Sequence, residues 1–290
     1  MRLLVLTARP DLRTNARLGE AASELGIDCE IVDASAVAAL YDGRRLGLVG
    51  SAIDARLDTM IARVGNWRPE SMLAVLEAAV ACGVPTPNPP AAIRVGRDHW
   101  ATGRVLMAAG LPVPPMLAGF DPESLAAQAI AHLGLPVVVK QRRSRMGIGV
   151  VRCSGRDHLE AVLDSLWRVG DEIVVQRWMA GGEHTLRCLV VGETVAAAAE
   201  FSASEGEWRS NAARGGMAVA HDPSPEESAL AVAAAKALNL GHCGVDLVRA
   251  GGRPTILEVN PTPGFLRLEE TCGVDVARAI VENAVGRVSC

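Results

Sequence analysis

The stretch TILEVNPTPGF, residues 255–265, decides how the chain is read. Ile256, Leu257 and Val259 are apolar strand formers, yet Glu258 and Asn260 stand among them, and NPTPG ends the run abruptly. Alternate residues of a strand share a face. Glu258 and Asn260 are therefore expected to project together, with Leu257 and Val259 facing the other way. Upstream, CGVDLV is expected to pair with this strand across a turn at Gly251–Gly252, which brings Asp246 toward the same face. Two carboxylates and a carboxamide are hard oxygen donors suited to Mg²⁺ or Mn²⁺. A solvated sheet face is the plainer alternative. The rigid NPTPG turn, which fixes where the strand stops, favours a preorganised site.

Composition narrows the classes. The chain has 290 residues, 49% of them apolar, which suits two or three packed subdomains and excludes a disordered chain. A net charge of −4 and only 3% aromatic residues argue against a nucleic-acid partner held by phosphate neutralisation or base stacking. The opening MRLLVLTARPD is too short and too soon polar for a secretory signal. No stretch approaches the roughly 18 apolar residues of a membrane span. Seven cysteines without a CxxC pair read as small core residues in a reducing cytoplasm, not as a zinc site.

Along the chain, MRLLVLTA, NARLGEAASELG and DCEIVDAS give strand, helix, strand, the order of a parallel βαβ unit. DTMIARVG is a third strand and ESMLAVLEAAVACG a second helix. The proline-rich VPTPNPPAA marks a subdomain boundary near residues 85–90. A second βαβ-like region follows, built from LPVVVKQ, MGIGVVRC, RDHLEAVLDSLWRVG and DEIVVQRWM. From about residue 180 the texture becomes α+β. EHTLRCLVVGETVAAAAEFSA is a hairpin joined at Gly192, and SPEESALAVAAAKALNLG is a helix with a Ser224–Glu227 capping box. The expected division is 1–87, 88–178 and 179–290.

Three further segments carry chemistry. Lys140 ends an apolar strand before a loop containing Gly147 and Gly149, a pattern that suits a phosphate cradle. It is not a Walker A motif, because GxxxxGK[ST] is absent. EWRSNAARGG places Arg209, Asn211 and Arg214 beside two glycines, and arginine forks suit phosphate or carboxylate. VVQRWMAGGEHTLR, residues 174–187, spans the change of texture and has the form of a hinge whose backbone suits an adenine edge.

Taken in this order, LPVVVK, LRCLVVG, WRSNAARGG, CGVDLVRA, LEVNPTPGF and LEETCGVDVA resemble the ATP-grasp superfamily, most closely its RimK-like carboxylate–amine ligases. The resemblance covers almost the whole chain. It implies a three-part fold of α/β and α+β subdomains, with ATP between the last two. It implies that Lys140 contacts phosphate, that Gln176, Arg177, Trp178 and Met179 hold the adenine, and that Glu183 and Thr185 meet the ribose. Arg209, Ser210 and Asn211 would line the phosphate and acylphosphate site, with Arg209 and Asn211 catalytic. Asp246, Glu258 and Asn260 would bind Mg²⁺ or Mn²⁺. The implied reaction activates a carboxylate as an acylphosphate, releasing ADP, and an amine then displaces phosphate. The amine belongs to an amino acid, glutamate first among them. The carboxylate belongs to a small molecule or a protein tail. Dimers and tetramers are usual for such folds.

Two positions depart from the family's pattern: His99 stands where a lysine is usual, and Thr185 where an aspartate is usual. They support a second reading, a catalytically decayed nucleotide-binding regulatory protein of the same fold. The intact Asp246, Glu258, Asn260 and Arg209 argue against it. D-alanyl dipeptide ligases and carboxylases share the superfamily, but RSN…RGG and EVNPTPG favour the RimK-like group. Arg142, Arg143 and Arg145 make the loop after Lys140 unusually basic, which suits either an acidic acceptor or simply a mobile, solvated loop. ARVGNW, residues 62–67, matches a strand end that faces substrate in this group, where Arg63 would hold a carboxylate.

Overall fold

The computed structural model describes residues 1–50, 57–143, 149–170, 172–204, 208 and 217–286. The first sheet is parallel, in the order β2-β1-β5, from β1 (Arg2–Thr7), β2 (Asp28–Asp33) and β5 (Thr59–Arg63). Helices α1 (Arg13–Glu24) and α2 (Pro69–Ala81) follow β1 and β5. Both faces of β1 are covered, which is why it reads as an unbroken apolar run. A hairpin of β3 (Val37–Tyr41) and β4 (Leu46–Gly50), not anticipated from the sequence, intervenes between β2 and β5.

The proline-rich segment is a packed connection. Asn88 is buried; its amide donates to the His242 and Pro261 carbonyls and its Oδ1 accepts from His242 N–H. Pro90 then opens α3 (Pro90–Gly96), which leads into α4 (His99–Ala108).

The central sheet has the order β6-β9-β7-β8, from β6 (Met116–Leu117), β7 (Val137–Gln141), β8 (Val150–Cys153) and β9 (Ile173–Arg177). Every pairing in it is antiparallel. This corrects the βαβ-like expectation. β8 and β9, joined by α6 (Arg156–Arg168), do run the same way, but β7 lies between them. Helices α5 (Pro122–Leu133) and α6 cover one face, closing a core around Leu125, Val139, Leu159 and Val175.

The last sheet is antiparallel, β12-β11-β10-β13-β14. Its strands are β10 (His184–Val191), β11 (Thr194–Ser202), β12 (Met217–Ala220), β13 (His242–Ala250) and β14 (Arg253–Asn260). β13 and β14 meet through Gly251 and Gly252, at φ +60° and +82°. Two successive positive φ values are what a two-residue hairpin turn of the right hand demands. Helix α7 (Pro225–Ala237) packs on one face with α4; α8 (Leu266–Cys272) and α9 (Val276–Gly286) pack on the other. That second face shares a core with the first sheet, Leu3, Val5 and Ile61 meeting Leu189, Ala199 and Phe201 around Phe265. Among the described residues, no helix is long and apolar enough to cross a membrane.

The capping box at α7 forms as expected: Glu227 N–H donates to Ser224 Oγ, and Ser224 N–H to the Glu227 carboxylate. Ser224→Ala is expected to cost about 1 kcal/mol. A drop of about 2–4 °C in Tm, measured by calorimetry, checks it.

Candidate active site

The pairing register puts Arg187, Asp246 and Glu258 in one row across β10, β13 and β14. Arg187 grips Asp246 with two parallel bonds, Nε to Oδ1 at 2.7 Å and Nη2 to Oδ2 at 2.6 Å. Its guanidinium also lies over the Phe201 ring, 5.5 Å from the centroid. The Asp246 charge raises the Arg187 pKa, with Glu258 adding to it against the opposing effect of burial. Arg187 was not singled out from the sequence. Its signal was an arginine at an alternate position of an otherwise apolar strand.

A bulge makes this row possible. Asp246 pairs with Glu258 but the next residue, Leu247, pairs with Ile256, which leaves Leu257 as the extra residue. Ile256 and Val259, three apart, therefore both enter the core with Leu247 and Val245. Glu258 and Asn260 project from the opposite face. The expected alternation held from Glu258 to Asn260 but failed before it: Leu257 does not share the buried face of Val259. Asn260 Oδ1 accepts from Thr262 N–H at 3.0 Å, so the turn sets its carboxamide.

From the central sheet, Lys140 faces the same charges. Burial pushes its pKa down, while Glu258 and Asp246 hold it up. Two carboxylates and two cations thus gather from two sheets. Register also places Arg152 and Gln176 beside Val138 on the Lys140 face of this sheet. The Gln176 side chain is buried with its Nε2 unpartnered, in a crevice also lined by His99, Leu257 and Glu258.

After β9 the chain crosses between sheets. Arg177 N–H and Trp178 N–H already donate, to the Pro115 and Pro136 carbonyls. The Arg177 guanidinium caps the end of α5 through the Leu133 and His132 carbonyls. This narrows the expected backbone contact: of these three amides, Met179 N–H is the one that makes no hydrogen bond among the described residues. Arg152 lies 4.4 Å over the Trp178 ring, and Trp208 meets that ring edge-on at 5.4 Å. Gly182 fits here because a Cβ would stand 2.9 Å from the Trp178 ring. Glu183 follows, and Thr185 shares the face of Arg187, two residues along β10. Arg209, Ser210 and Asn211 lie outside the described residues, as do Arg214, Arg145 and Gly147.

His99 opens α4 behind Asp98, whose carboxylate caps the helix by accepting from Ala101 N–H. Arg142 clamps that carboxylate, Nη2 to Oδ2 at 2.6 Å and Nε to Oδ1 at 3.2 Å. Burial works to raise the Asp98 pKa, but these bonds outweigh it and hold the pKa low. The expectation that Arg142 greets an acidic acceptor is corrected: its fork is committed to Asp98. Arg143 stays largely exposed, 3.7 Å from the same carboxylate.

Comparison with known proteins agrees with this geometry. The family model for a RimK-like ATP-grasp domain matches residues 96–284. A "Probable alpha-L-glutamate ligase" from Stenotrophomonas maltophilia is 35% identical, with 98% of each chain covered. One from Xanthomonas oryzae is 36% identical, covering 98% of this chain and 97% of the other. Among solved structures, a RimK domain ATP-grasp protein from Sphaerobacter thermophilus aligns with a TM-score of 0.76 at 24% identity, over 99% of this chain and 100% of that one. The D-cycloserine synthetase DcsG aligns with a TM-score of 0.76 at 21% identity and the same coverage. The chain belongs to the RimK-like ATP-grasp family.

Proposed function

We infer that the protein is an ATP-dependent, ADP-forming ligase that joins a carboxylate to the amine of an amino acid, and that the amino acid is glutamate. The observation that carries this is the row Arg187–Asp246–Glu258 facing Lys140. Such a cluster suits a metal–triphosphate: the two carboxylates would take a divalent cation, and Lys140 a phosphate. The glutamate ligase names of the relatives support the choice of amino acid.

The roles follow from position. Lys140 contacts the phosphates. Gln176 Nε2 and Met179 N–H meet the adenine edge, with Arg177 and Trp178 shaping that pocket. Glu183 and Thr185 meet the ribose. Arg209, Ser210 and Asn211 keep the phosphate and acylphosphate role implied by the resemblance, with Arg209 and Asn211 catalytic. Residues 1–87, 88–178 and 179–290 are the three subdomains.

Asp246, Glu258 and Asn260 would hold Mg²⁺ or Mn²⁺. No three of the described His, Cys, Asp and Glu residues form a metal cluster by themselves. Here the third donor is an amide oxygen, and nucleotide oxygens would complete the shell, as suits a hard cation bound with phosphate. Asp246 is held by Arg187 and Asn260 by the Thr262 amide, yet carboxylate and amide oxygens each keep a lone pair. The metal would supply charge neutralisation at the phosphates.

In the first step a carboxylate oxygen attacks the γ-phosphorus of ATP and the bond to ADP breaks. In the second the amine nitrogen attacks the acyl carbon, phosphate leaves, and the nitrogen loses a proton. Lys140 and Arg209 offset charge on the transferring group, and the acylphosphate has to be kept from water until the amine arrives. The acceptor is a small molecule or protein tail ending in a carboxylate. We place the enzyme in the cytoplasm, as a homo-oligomer, where ATP and its six described thiols are at home.

Mass spectrometry of reactions with Mg-ATP, glutamate and a panel of acidic peptides tests this. The expected product is acceptor plus glutamate less one water. ATP consumption without any such amide would overturn the reading.

A further inference from the structure

Arg152 brings a second shielded donor to the row that holds Gln176. It stands on β8, aligned by register with Val138 of β7 and, beyond Val138, with Gln176 of β9. Residues directly opposite across strands share a face, and this face also carries Lys140, two residues along β7 from Val138. Arg152 and Gln176 are two strand spacings apart, about 10 Å. Arg152 Nε and Gln176 Nε2 are both shut off from solvent, and neither makes a hydrogen bond among the described residues. Shielded donors without acceptors are costly and rare in a folded chain. Two in one row, with the apolar Val138 between them, suit a flat ligand with acceptors on opposite edges.

Shielding alone does not set Arg152 apart, since Arg2 and Arg63 each have a shielded nitrogen too. Its place and its neighbour do. The guanidinium lies 4.4 Å over the Trp178 ring and makes no ion pair among the described residues. Trp178 is fixed in turn, by Trp208 edge-on at 5.4 Å and by the close pass of Gly182. An indole face attracts the charge of a guanidinium. It leaves the Nε–H without a lone pair to meet. Arg152 is thus held in one position with a donor still to be used.

The position tells which part of a nucleotide it meets. With the hydrogen-bonding edge of the base at Gln176 Nε2 and Met179 N–H, on the β9 side, the ring system lies across Val138. Its imidazole side is then turned toward β8. On that side N9 carries the ribose, and N7 is the acceptor. Purine N7 is an acceptor that arginine commonly reads.

We propose that Arg152 is a further nucleotide-binding residue whose Nε–H donates to N7 of the purine, while Gln176 and Met179 hold the opposite edge. This rests on the ligase reading above, which puts a nucleotide in the crevice. It adds a contact that selects purine over pyrimidine nucleotides, because a pyrimidine has no second ring to reach β8.

Calorimetric titration of the full chain with magnesium nucleotides tests the proposal without turnover. The wild type is expected to bind ATP about tenfold more tightly than 7-deaza-ATP, in which a carbon replaces N7. In Arg152→Leu, ATP is expected to weaken by about the same tenfold, and the two nucleotides to bind alike. Arg152→Met is the second variant should the leucine protein fail to fold, with the same expectation. An arginine that served only to clamp Trp178 would, when replaced, weaken both nucleotides equally and leave the wild type indifferent to N7. A wild type that binds 7-deaza-ATP as tightly as ATP, or a variant that still tells the two apart, would therefore overturn the proposal. If the wild type shows glutamate-dependent ADP release but no preference for N7, the ligase reading stands and the Arg152 role fails. If it binds neither nucleotide, the ligase reading fails as well.

Discussion

Glu258→Gln is expected to end glutamate-dependent ADP release, lowering kcat on the order of 10³-fold, while the fold survives. The side chain keeps its size and hydrogen-bonding reach. It sits on the site face, and the core contacts of β14 come from Ile256 and Val259 instead. What changes is charge. Glu258 faces Asp246 across the strand pair and helps hold the Lys140 pKa up against burial. Without it the Lys140 pKa falls further, since desolvation is then opposed by Asp246 alone. Lysine contacts phosphate only when protonated, and its protonated fraction is lost as pH rises through its pKa. ATP affinity should therefore begin to fall at a lower pH in the variant than in the wild type. Kinetics and ATP titration by calorimetry across the alkaline range check both statements. Wild-type ADP release in Glu258→Gln would remove Glu258 from the site.

Arg187→Met should give the largest stability loss. It leaves the Asp246 carboxylate in a partly buried row without its bidentate partner, at a cost of about 3 kcal/mol. That corresponds to a fall of roughly 6–12 °C in Tm. Lys140, already under the influence of Asp246, softens the loss. The double variant Arg187→Met with Asp246→Leu should regain most of the stability, because no unpaired charge remains, yet stay inactive. This split separates a stabilising role from a functional one: the pair is needed for chemistry and not for the fold. Calorimetry on the three variants, with ADP release alongside, decides it. A double variant no more stable than Arg187→Met would contradict the assigned cause.

The sequence made some of this legible for identifiable reasons. Gly251–Gly252 with two flanking strands defines a hairpin, and a hairpin of known turn length fixes register. Continued without a break, that register would set Asp246 opposite Leu257; the bulge at Leu257 moves it opposite Glu258. The bulge was not legible, because Ile256 and Leu257 are both apolar and either could have entered the core. Arg187 was hidden because its meaning lies in a partner 59 residues away. The Arg142–Asp98 clamp spans 44 residues, and a basic loop read locally looked free. A strand–helix–strand order from residue 150 to 177 was visible, but nothing local says that β7 inserts between the two strands. The β3–β4 hairpin did carry a signal: Asp42–Gly43 between apolar runs is a turn pair in plain view. Arg209, Ser210 and Asn211 rest on the resemblance alone.

The most direct measurement is ³¹P NMR of Mg-ATP incubated with the protein, with and without glutamate and an acidic peptide. ADP and phosphate appearing in equal amounts, only when both substrates are present, is the predicted result. AMP with pyrophosphate, or ATP consumed at the same rate without substrates, would contradict a ligase that passes through an acylphosphate.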